Sequence, residues 1–328
     1  VRALHAYARS DPSRLVVEDA PLPELGPSDV LVRVHASGVS PGELDWPTAW
    51  LHHDDTPRRP PIVPGHEVAG IVDAVGPDAA GLTVGDAVFG YIDVRRDGAD
   101  AEYTAARADE LAPEPVTLSH AQAAAVPLSG LTAWQALVDH GNLAPGQRVL
   151  IHGGAGGVGT FAVQLASWRG AHVVATSASR DADLVRDLGA RDVIDYRTGR
   201  FEEVVSEMDL VIDTVGGETW ERSWRVLRPG GRLVSIAVPR PPGRDPVEGR
   251  QAIWFVVRPD REQLMELGRL IDAGHLRPII SDVVPLARGA EVYGRAGPRG
   301  GPGRVALLVA AAGAGASAPA AARTTAVP

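Results

Sequence analysis

RVLIHGGAGGVGTFAVQLA, residues 148–166, runs from an apolar strand-like segment, Val149 to His152, through a glycine cluster into an amphipathic helix pattern. Gly154, Gly156 and Gly159 have the spacing G-x-G-x-x-G, with Gly157 and Val158 between the last two. That spacing supplies a tight turn, close backbone approach to a pyrophosphate and close packing of helix on strand. The helix start beyond it offers unpaired N–H groups and a positive dipole end to an anion. With strand and helix both legible on either side, the stretch predicts a dinucleotide site.

The next strand narrows the ligand. Ala171–Thr176 reads as the second parallel strand, and an NAD site would place an Asp or Glu at its end to hold the ribose 2′-hydroxyl. Here the chain reads Thr176-Ser177-Ala178-Ser179-Arg180. Hydroxyls and a guanidinium suit a 2′-phosphate, which favours NADPH. Ser177 and Ser179 could also cap a helix starting near Asp181.

Outward from this point the text alternates strand and helix. Strands are expected at 149–153, 171–176, 193–196, 209–215 and 232–238, with helices near 157–169, 181–188, 200–207 and 218–228. The alternation predicts a doubly wound parallel sheet. A helix begins near Ser119, where Ser119 and Gln122 form an S-x-x-Q capping box. Residues 1–118 instead carry short alternating runs between Gly, Pro and Asp turns, the pattern of a barrel-like β domain. Leu44–Pro64 is a looser Pro-, Trp- and His-bearing insert, expected as a loop over a cleft. Residues 260–273 form an amphipathic helix with Leu264, Leu267, Leu270 and Ile271 on its apolar face, and strand-like text returns after it. The simplest assembly inserts a nucleotide domain, 119–250, between 1–118 and 251–309, which then form one discontinuous domain. The low-complexity text of 310–328 is expected as a disordered tail.

Composition bounds the function. The chain has 328 residues, 45% hydrophobic and 22% charged, as in ordinary globular proteins. No apolar run approaches the roughly 20 residues of a membrane span and no signal-peptide pattern opens the chain, so a cytoplasmic location is the default expectation. A formal charge of −9 argues against a general nucleic-acid binder. All 32 Lys+Arg positions are arginine, which fits a GC-rich genome. Cysteine is absent, so disulfides, Cys-ligated zinc and thiol nucleophiles are excluded. His52, His53, Asp54 and Asp55 could hold a metal by composition, although adjacent histidines in a polar loop are more often simply solvated.

Longer matches add a resemblance over about residues 1–309. GVSPGELDW (38–46), VPGHEVAG (63–70), GLTVGDAVFG (81–90), AAAVPLSGLTAWQAL (123–137), HGGAGGVG (152–159), LGARDVIDY (188–196), DTVGG (213–217) and LRPGGRLVSIA (227–237) carry it, with PDREQLMELGRLIDAGHLRPII (259–280). The chain resembles the medium-chain dehydrogenase/reductase superfamily, in its zinc-independent NADPH:quinone oxidoreductase and enoyl reductase branch. The resemblance implies a Rossmann-type doubly wound parallel sheet inserted in a GroES-like β-barrel domain.

In the family's zinc alcohol dehydrogenases, the metal ligands fall where this chain has Ser40, His66 and the Pro127–Leu128 region. Only His66 of these could ligate, and one imidazole cannot make the three-protein-ligand site that catalytic zinc needs. Reduction of a quinone or α,β-unsaturated carbonyl requires no such metal, since the acceptor itself delocalises the incoming charge. The resemblance implies that Gly154, Gly156, Gly157, Val158 and Gly159 hold the pyrophosphate. It places Ser177, Arg180 and Tyr196 around the 2′-phosphate, Thr132, Thr214 and Val215 along the nicotinamide ribose, and the backbone of Trp254, Phe255 and Val257 at the carboxamide. Arg304 matches a basic residue that reaches a phosphate or forms a surface ion pair, and Glu67 an acid in a structural ion pair. His66, Glu43 and Tyr103 are the candidate proton donors, His66 having the best titration range and a pocket-lining role as its alternative. Ser40, Trp46, Trp50 and Phe255 are expected to line the substrate pocket. A homodimer paired through the strand Arg232–Val238 is expected, with a small-molecule substrate, no nucleic acid and no membrane partner. The rival readings are an alcohol or ketone dehydrogenase and a non-catalytic NADPH-binding protein.

Overall fold

The computed structural model describes residues 1–237, 249–294 and 301–309. The tail expected from 310 and Val238 lie outside them. The N-terminal part supplies β1 (Arg2–Ala6), β2 (Leu15–Asp19), β3 (Asp29–Val39), β4 (Glu67–Val75), β5 (Ala87–Tyr91), β6 (Tyr103–Arg107) and β7 (Leu111–Pro113). Two short helices follow, α1 (His120–Ala124) and α2 (Pro127–Trp134), the latter running on into a π-helical segment, Gln135–His140. The middle of the chain alternates β8 (Arg148–Ile151), α3 (Gly157–Trp168), β9 (His172–Ser177), α4 (Ala182–Asp187), β10 (Asp192–Asp195), α5 (Phe201–Val204), β11 (Met208–Asp213), α6 (Glu218–Ser223), β12 (Leu227–Ser235) and β13 (Gln251–Trp254). The C-terminal part carries α7 (Arg261–Asp272), β14 (Ile280–Pro285), α8 (Gly289–Tyr293) and β15 (Arg304–Leu308).

The middle strands form a six-stranded sheet in the order β10-β9-β8-β11-β12-β13, with every pairing parallel. Side chains alternate between its faces. Val149 and Ile151 of β8 join a core with Phe161, Val163 and Leu165 of α3, whereas Leu150 joins Phe201, Met208 and Trp220 on the other side. Burial on both faces is why these strands read as nearly unbroken apolar runs. Two expectations need correction here. The parallel sheet takes in β13, past the domain boundary placed at residue 250, because β13 pairs with β12 over Arg232–Ser235. For the same reason the Arg232–Val238 strand is not an edge: β12 lies between β11 and β13, and β13 is the outer strand.

The second sheet has seven strands, ordered β14-β15-β3-β4-β5-β7, with β6 also paired to β3. β15 from the C-terminal part pairs antiparallel with β3, matching Val305 with Val39. The helix α7 packs on α2 and β7, burying Leu264, Leu267, Leu270 and Ile271, and its N-cap Asp260 accepts from Gln263 N at 3.0 Å. The Ser119 capping box forms as expected, Ser119 N donating to Gln122 Oε1 at 3.0 Å. The Leu44–Pro64 insert is not a free loop. It opens on the end of a 3₁₀ turn, Pro41–Asp45, contains another, Pro47–Trp50, and is pinned by Arg58, which donates to the carbonyls of Ala49 and Arg96.

One buried acid of this sheet makes stability pH-dependent. Glu110 accepts from the backbone N–H groups of Arg107 (3.0 Å) and Asp93 (3.2 Å), and burial pushes its carboxyl up from 4.5 to about 7. Between those values the folded state keeps a proton that the unfolded chain releases, so stability falls as pH rises. Chemical denaturation at pH 4.5 and pH 7 should show the wild type losing on the order of 3 kcal/mol more than Glu110→Gln over that interval. Equal losses would mean that the carboxyl titrates normally.

Candidate functional site

The glycine loop leads from β8 into α3. Gly153 takes φ +69°, a conformation that favours glycine, and a Cβ on Gly159 would collide with the carbonyl oxygen of Gly153. Gly154 N donates to Thr176 O at 2.8 Å and Thr176 Oγ1 accepts from Gly153 N at 3.1 Å, so the end of β9 holds the loop in place. Gly156 is the N-cap of α3 and Gly157 its first residue. The sequence reading had missed Gly153, although its position just before the fingerprint was open to view.

At the end of β9 the expected phosphate ligands divide. Ser177 is buried and donates its hydroxyl to Ala178 O at 3.1 Å, so it is turned away from a ribose phosphate. Neither Ser177 nor Ser179 caps α4, whose N-cap is Asp181. Ser179 instead donates its N–H to Asp195 Oδ2 at 3.1 Å, and its hydroxyl to the same oxygen. Arg180 and Tyr196 are exposed, Arg180 reaching Asp181 only at 3.4 Å and Tyr196 lying under the Arg197 guanidinium at 5.6 Å. Arg197 and Asp195 were not anticipated, because only the strand pairing of β9 with β10 brings them beside Ser177.

Of the residues expected along the nicotinamide, Thr132 Oγ1 donates back to Leu128 O at 2.6 Å and Thr214 Oγ1 to His152 O at 2.8 Å. The buried Asp213 carboxylate shapes the DTVGG turn by accepting from Val215 N (3.0 Å) and Gly216 N (2.9 Å), which leaves Val215 exposed. Trp254 is exposed at the end of β13, Val257 packs against the core, and Phe255 is buried with its ring 4.4 Å from His140. Gln135 holds this segment. Its amide donates to Arg258 O at 3.0 Å and accepts from Arg258 N at 3.2 Å.

The expected acid–base residues form a buried pair. His66 Nδ1 lies 2.7 Å from Glu43 Oε1, and Nε2 lies 3.0 Å from Arg96 O. The Arg96 carbonyl can only accept, so Nε2 carries a proton, and Nδ1 shares one with the Glu43 carboxyl. Burial alone would lower the pKa of His66, but the Glu43 carboxylate more than offsets this and raises it. The side chains are only 1% and 3% exposed, so neither presents a free proton to a cleft. Tyr103 stands apart at the start of β6, half-buried opposite Arg33. The pocket aromatics are also dispersed. Phe255 and Trp46 pack against the large core between the sheets, whereas Trp50 packs with Leu4, Leu44 and Tyr293 and donates to Leu44 O at 3.1 Å.

A second buried charge joins the seven-stranded sheet to α2. Glu67 of β4 accepts from Leu128 N at 2.9 Å, Ser40 Oγ lies 3.5 Å from its other oxygen, and the Arg304 guanidinium forms an ion pair with it. Arg304 also donates from Nη1 to Ser40 Oγ at 3.2 Å. It is buried, not at the surface, and burial pulls its guanidinium down to about 10, which leaves it charged at neutral pH.

With this geometry in place, comparison with known proteins places the chain. Residues 26–116 match the family described as alcohol dehydrogenase GroES-like domain, and residues 188–306 that described as zinc-binding dehydrogenase. The chain is 30% identical to NAD(P)H oxidoreductase RTN4IP1, mitochondrial, of Danio rerio, over 88% of its own length and 85% of that protein's. The chain belongs to the medium-chain dehydrogenase/reductase superfamily, in its quinone oxidoreductase-like branch. It is also 34% identical to 2-methylene-furan-3-one reductase of Solanum lycopersicum, covering 81% of this chain and 67% of that one. Its fold matches the quinone oxidoreductase from Coxiella burnetii with TM-score 0.82 at 28% identity, over 94% of this chain and 99% of that one.

The second family description raises zinc, and the donors here do not fit it. The positions the resemblance gives are held by Ser40, which is engaged with Arg304 and Glu67; by His66, with both nitrogens engaged; and by the Pro127–Leu128 region, whose side chains have no ligating atom. The His52–Asp55 turn also forms no site: Asp54 accepts from Thr56, Asp55 pairs with Arg95, and His53 reaches Asp93 only at 3.8 Å. Among the described residues no three His, Asp or Glu side chains gather as a metal site would need.

The buried pair should dominate local stability. Removing one partner of a buried ion pair leaves the other charge uncompensated. Glu67→Ala should therefore lose about 3–5 kcal/mol in urea denaturation. A loss below about 1 kcal/mol would be typical of solvated surface pairs and would contradict the buried role of Arg304.

Proposed function

We propose that this protein is an NADPH-dependent, zinc-independent reductase that delivers hydride to a quinone or an α,β-unsaturated carbonyl compound. The observation that carries the reading is the pairing of a complete dinucleotide loop with a spent donor set at Ser40, His66 and Leu128. Without a Lewis acid an alcohol oxidation loses its means of stabilising an alkoxide. A conjugated acceptor spreads the developing charge onto its own oxygen. The names of the tomato reductase and of an NADPH-dependent alkenal/one oxidoreductase from Arabidopsis thaliana, 31% identical to this chain, support that class.

A bound reduced nicotinamide dinucleotide is the hydride source. The chain's own residues bind and orient. Backbone N–H groups at Gly157, Val158 and Gly159 take the diphosphate, and the exposed Arg180, Tyr196 and Arg197 take the 2′-phosphate in place of Ser177. Thr132, Thr214 and Val215 face the nicotinamide ribose, and the backbone from Trp254 to Val257 the carboxamide, held by Gln135. Trp46 is the aromatic wall that remains available to a flat acceptor. The Glu43–His66 pair positions the neighbouring backbone, since Glu43 also accepts from Gly65 N at 2.6 Å, and water supplies the final proton. A homodimer would pair through β13, the outer strand of the parallel sheet.

Steady-state assays over a panel of quinones and enones should show NADPH oxidation strongly favoured over NADH oxidation. Arg180→Ala should raise KM for NADPH about tenfold, as loss of a charge-assisted contact would, and leave KM for NADH nearly unchanged. A clear NADH preference in the wild type would defeat the 2′-phosphate assignment. Elemental analysis of protein purified without added metal should find no stoichiometric zinc; one zinc per chain would move the reading to alcohol or ketone chemistry. Sedimentation should give a dimer, and a monomer at micromolar concentration would remove the β13 pairing.

A further inference from the structure

The start of α3 is unfinished in a specific way. The helix has twelve residues, its N-cap Gly156 makes no side-chain capping bond, and the first backbone bond within it is Thr160 N to Gly156 O at 3.0 Å. The N–H groups of Gly157, Val158 and Gly159 therefore have no partner inside the helix. Two side chains from distant parts of the chain converge on the same spot. A Cβ built on Gly157 would lie 2.8 Å from Arg304 Cδ, 3.3 Å from Ser129 Oγ and 3.6 Å from Arg304 Nη1.

Both side chains carry unused donors. Ser129 is 1% exposed and its hydroxyl has no hydrogen-bond partner among the described residues; Arg304 Nε has none either. The neighbouring hydroxyl on the same helix behaves otherwise, because Thr132 returns its proton to Leu128 O at 2.6 Å. A buried hydroxyl without a partner costs folding free energy, and a serine kept in that state needs a compensating contact. The donors left open here suit a negative ligand: three helix-start N–H groups at a positive helix end, and Arg304 Nε, on the guanidinium whose other side pairs with Glu67.

We propose that Ser129 is a cofactor-binding residue, whose hydroxyl donates to the dinucleotide's diphosphate beside Gly157 while Arg304 balances its charge. The inference rests on the dinucleotide reading above and extends it to a residue on α2, outside the glycine loop. It also explains why position 157 is glycine, since a side chain there would fill the space between Ser129 and Arg304.

A structural role and a ligand role for Ser129 predict opposite signs. Ser129→Ala removes an unsatisfied buried hydroxyl, so the ligand-free variant should melt at the same temperature as the wild type or slightly higher. Calorimetric titration should show its Kd for NADPH raised about tenfold, as loss of a hydrogen bond to a charged group does. Its Kd for 2′-AMP, which carries the 2′-phosphate and lacks the diphosphate, should not change. Unchanged NADPH affinity, an equal loss for 2′-AMP, or a melting temperature several degrees lower would each overturn the assignment. If the wild type takes up no NADPH, the dinucleotide reading itself falls, and this inference with it.

Discussion

A single carboxylate, that of Glu67, is the point at which three strands of the seven-stranded sheet and the helix α2 meet. It is buried, so its charge must be met by donors that cannot leave. Those donors come from Leu128 on α2, Ser40 after β3 and Arg304 on β15, segments far apart in the chain. Meeting them sets the GroES-like part, the C-terminal strand and the helix α2 in one arrangement. The stem of Arg304 then passes Gly157, so the same ion pair reaches the mouth of the dinucleotide loop.

A second link ties the far end of α2 to the segment after β13. The π-helical turn that continues α2 carries Gln135, whose amide pairs in both directions with the backbone of Arg258. Such turns often occur at functional places because they re-aim a side chain without ending the helix. One continuous helical rod thus carries Leu128, Ser129, Thr132 and Gln135, whose bonds differ: Leu128 N donates to Glu67, Thr132 to Leu128 O and Gln135 to Arg258 O, while the Ser129 hydroxyl has no partner among the described residues. Hydride transfer depends on distance and alignment more than on strong local chemistry. On the function proposed above, a rigid rod that registered both ends of a cofactor would suit an acceptor that supplies its own electrophilicity.

The glycine loop, the alternation of β8 through β12 and the amphipathic α7 were legible because each is written in local text: a spacing, a run or a period. The limits of that text are equally specific. A strand reads the same whether it is interior or outer, so β12 could be mistaken for an edge until β13 was seen beside it. A serine shows its type but not its rotamer, so Ser177 passed for a phosphate ligand although its hydroxyl belongs to Ala178 O. His66 looked like a proton donor because histidine titrates near neutrality. Its pairing with Glu43, across an intervening loop, is what withdraws it from that role.

Superfamily, element order and the lack of a cysteine-based metal site were therefore decided by residue identity and spacing, which act over a few positions and survive without any neighbour. Partnership was decided only on folding. Whether Arg304 is buried or exposed, whether Ser129 has a bond partner, and which strand faces outward all depend on groups distant in the chain meeting in space, from 19 residues apart in the pairing of β12 with β13 to more than two hundred for Arg304 and Glu67. Local sequence sets which donors and acceptors exist, and packing sets which of them are spent.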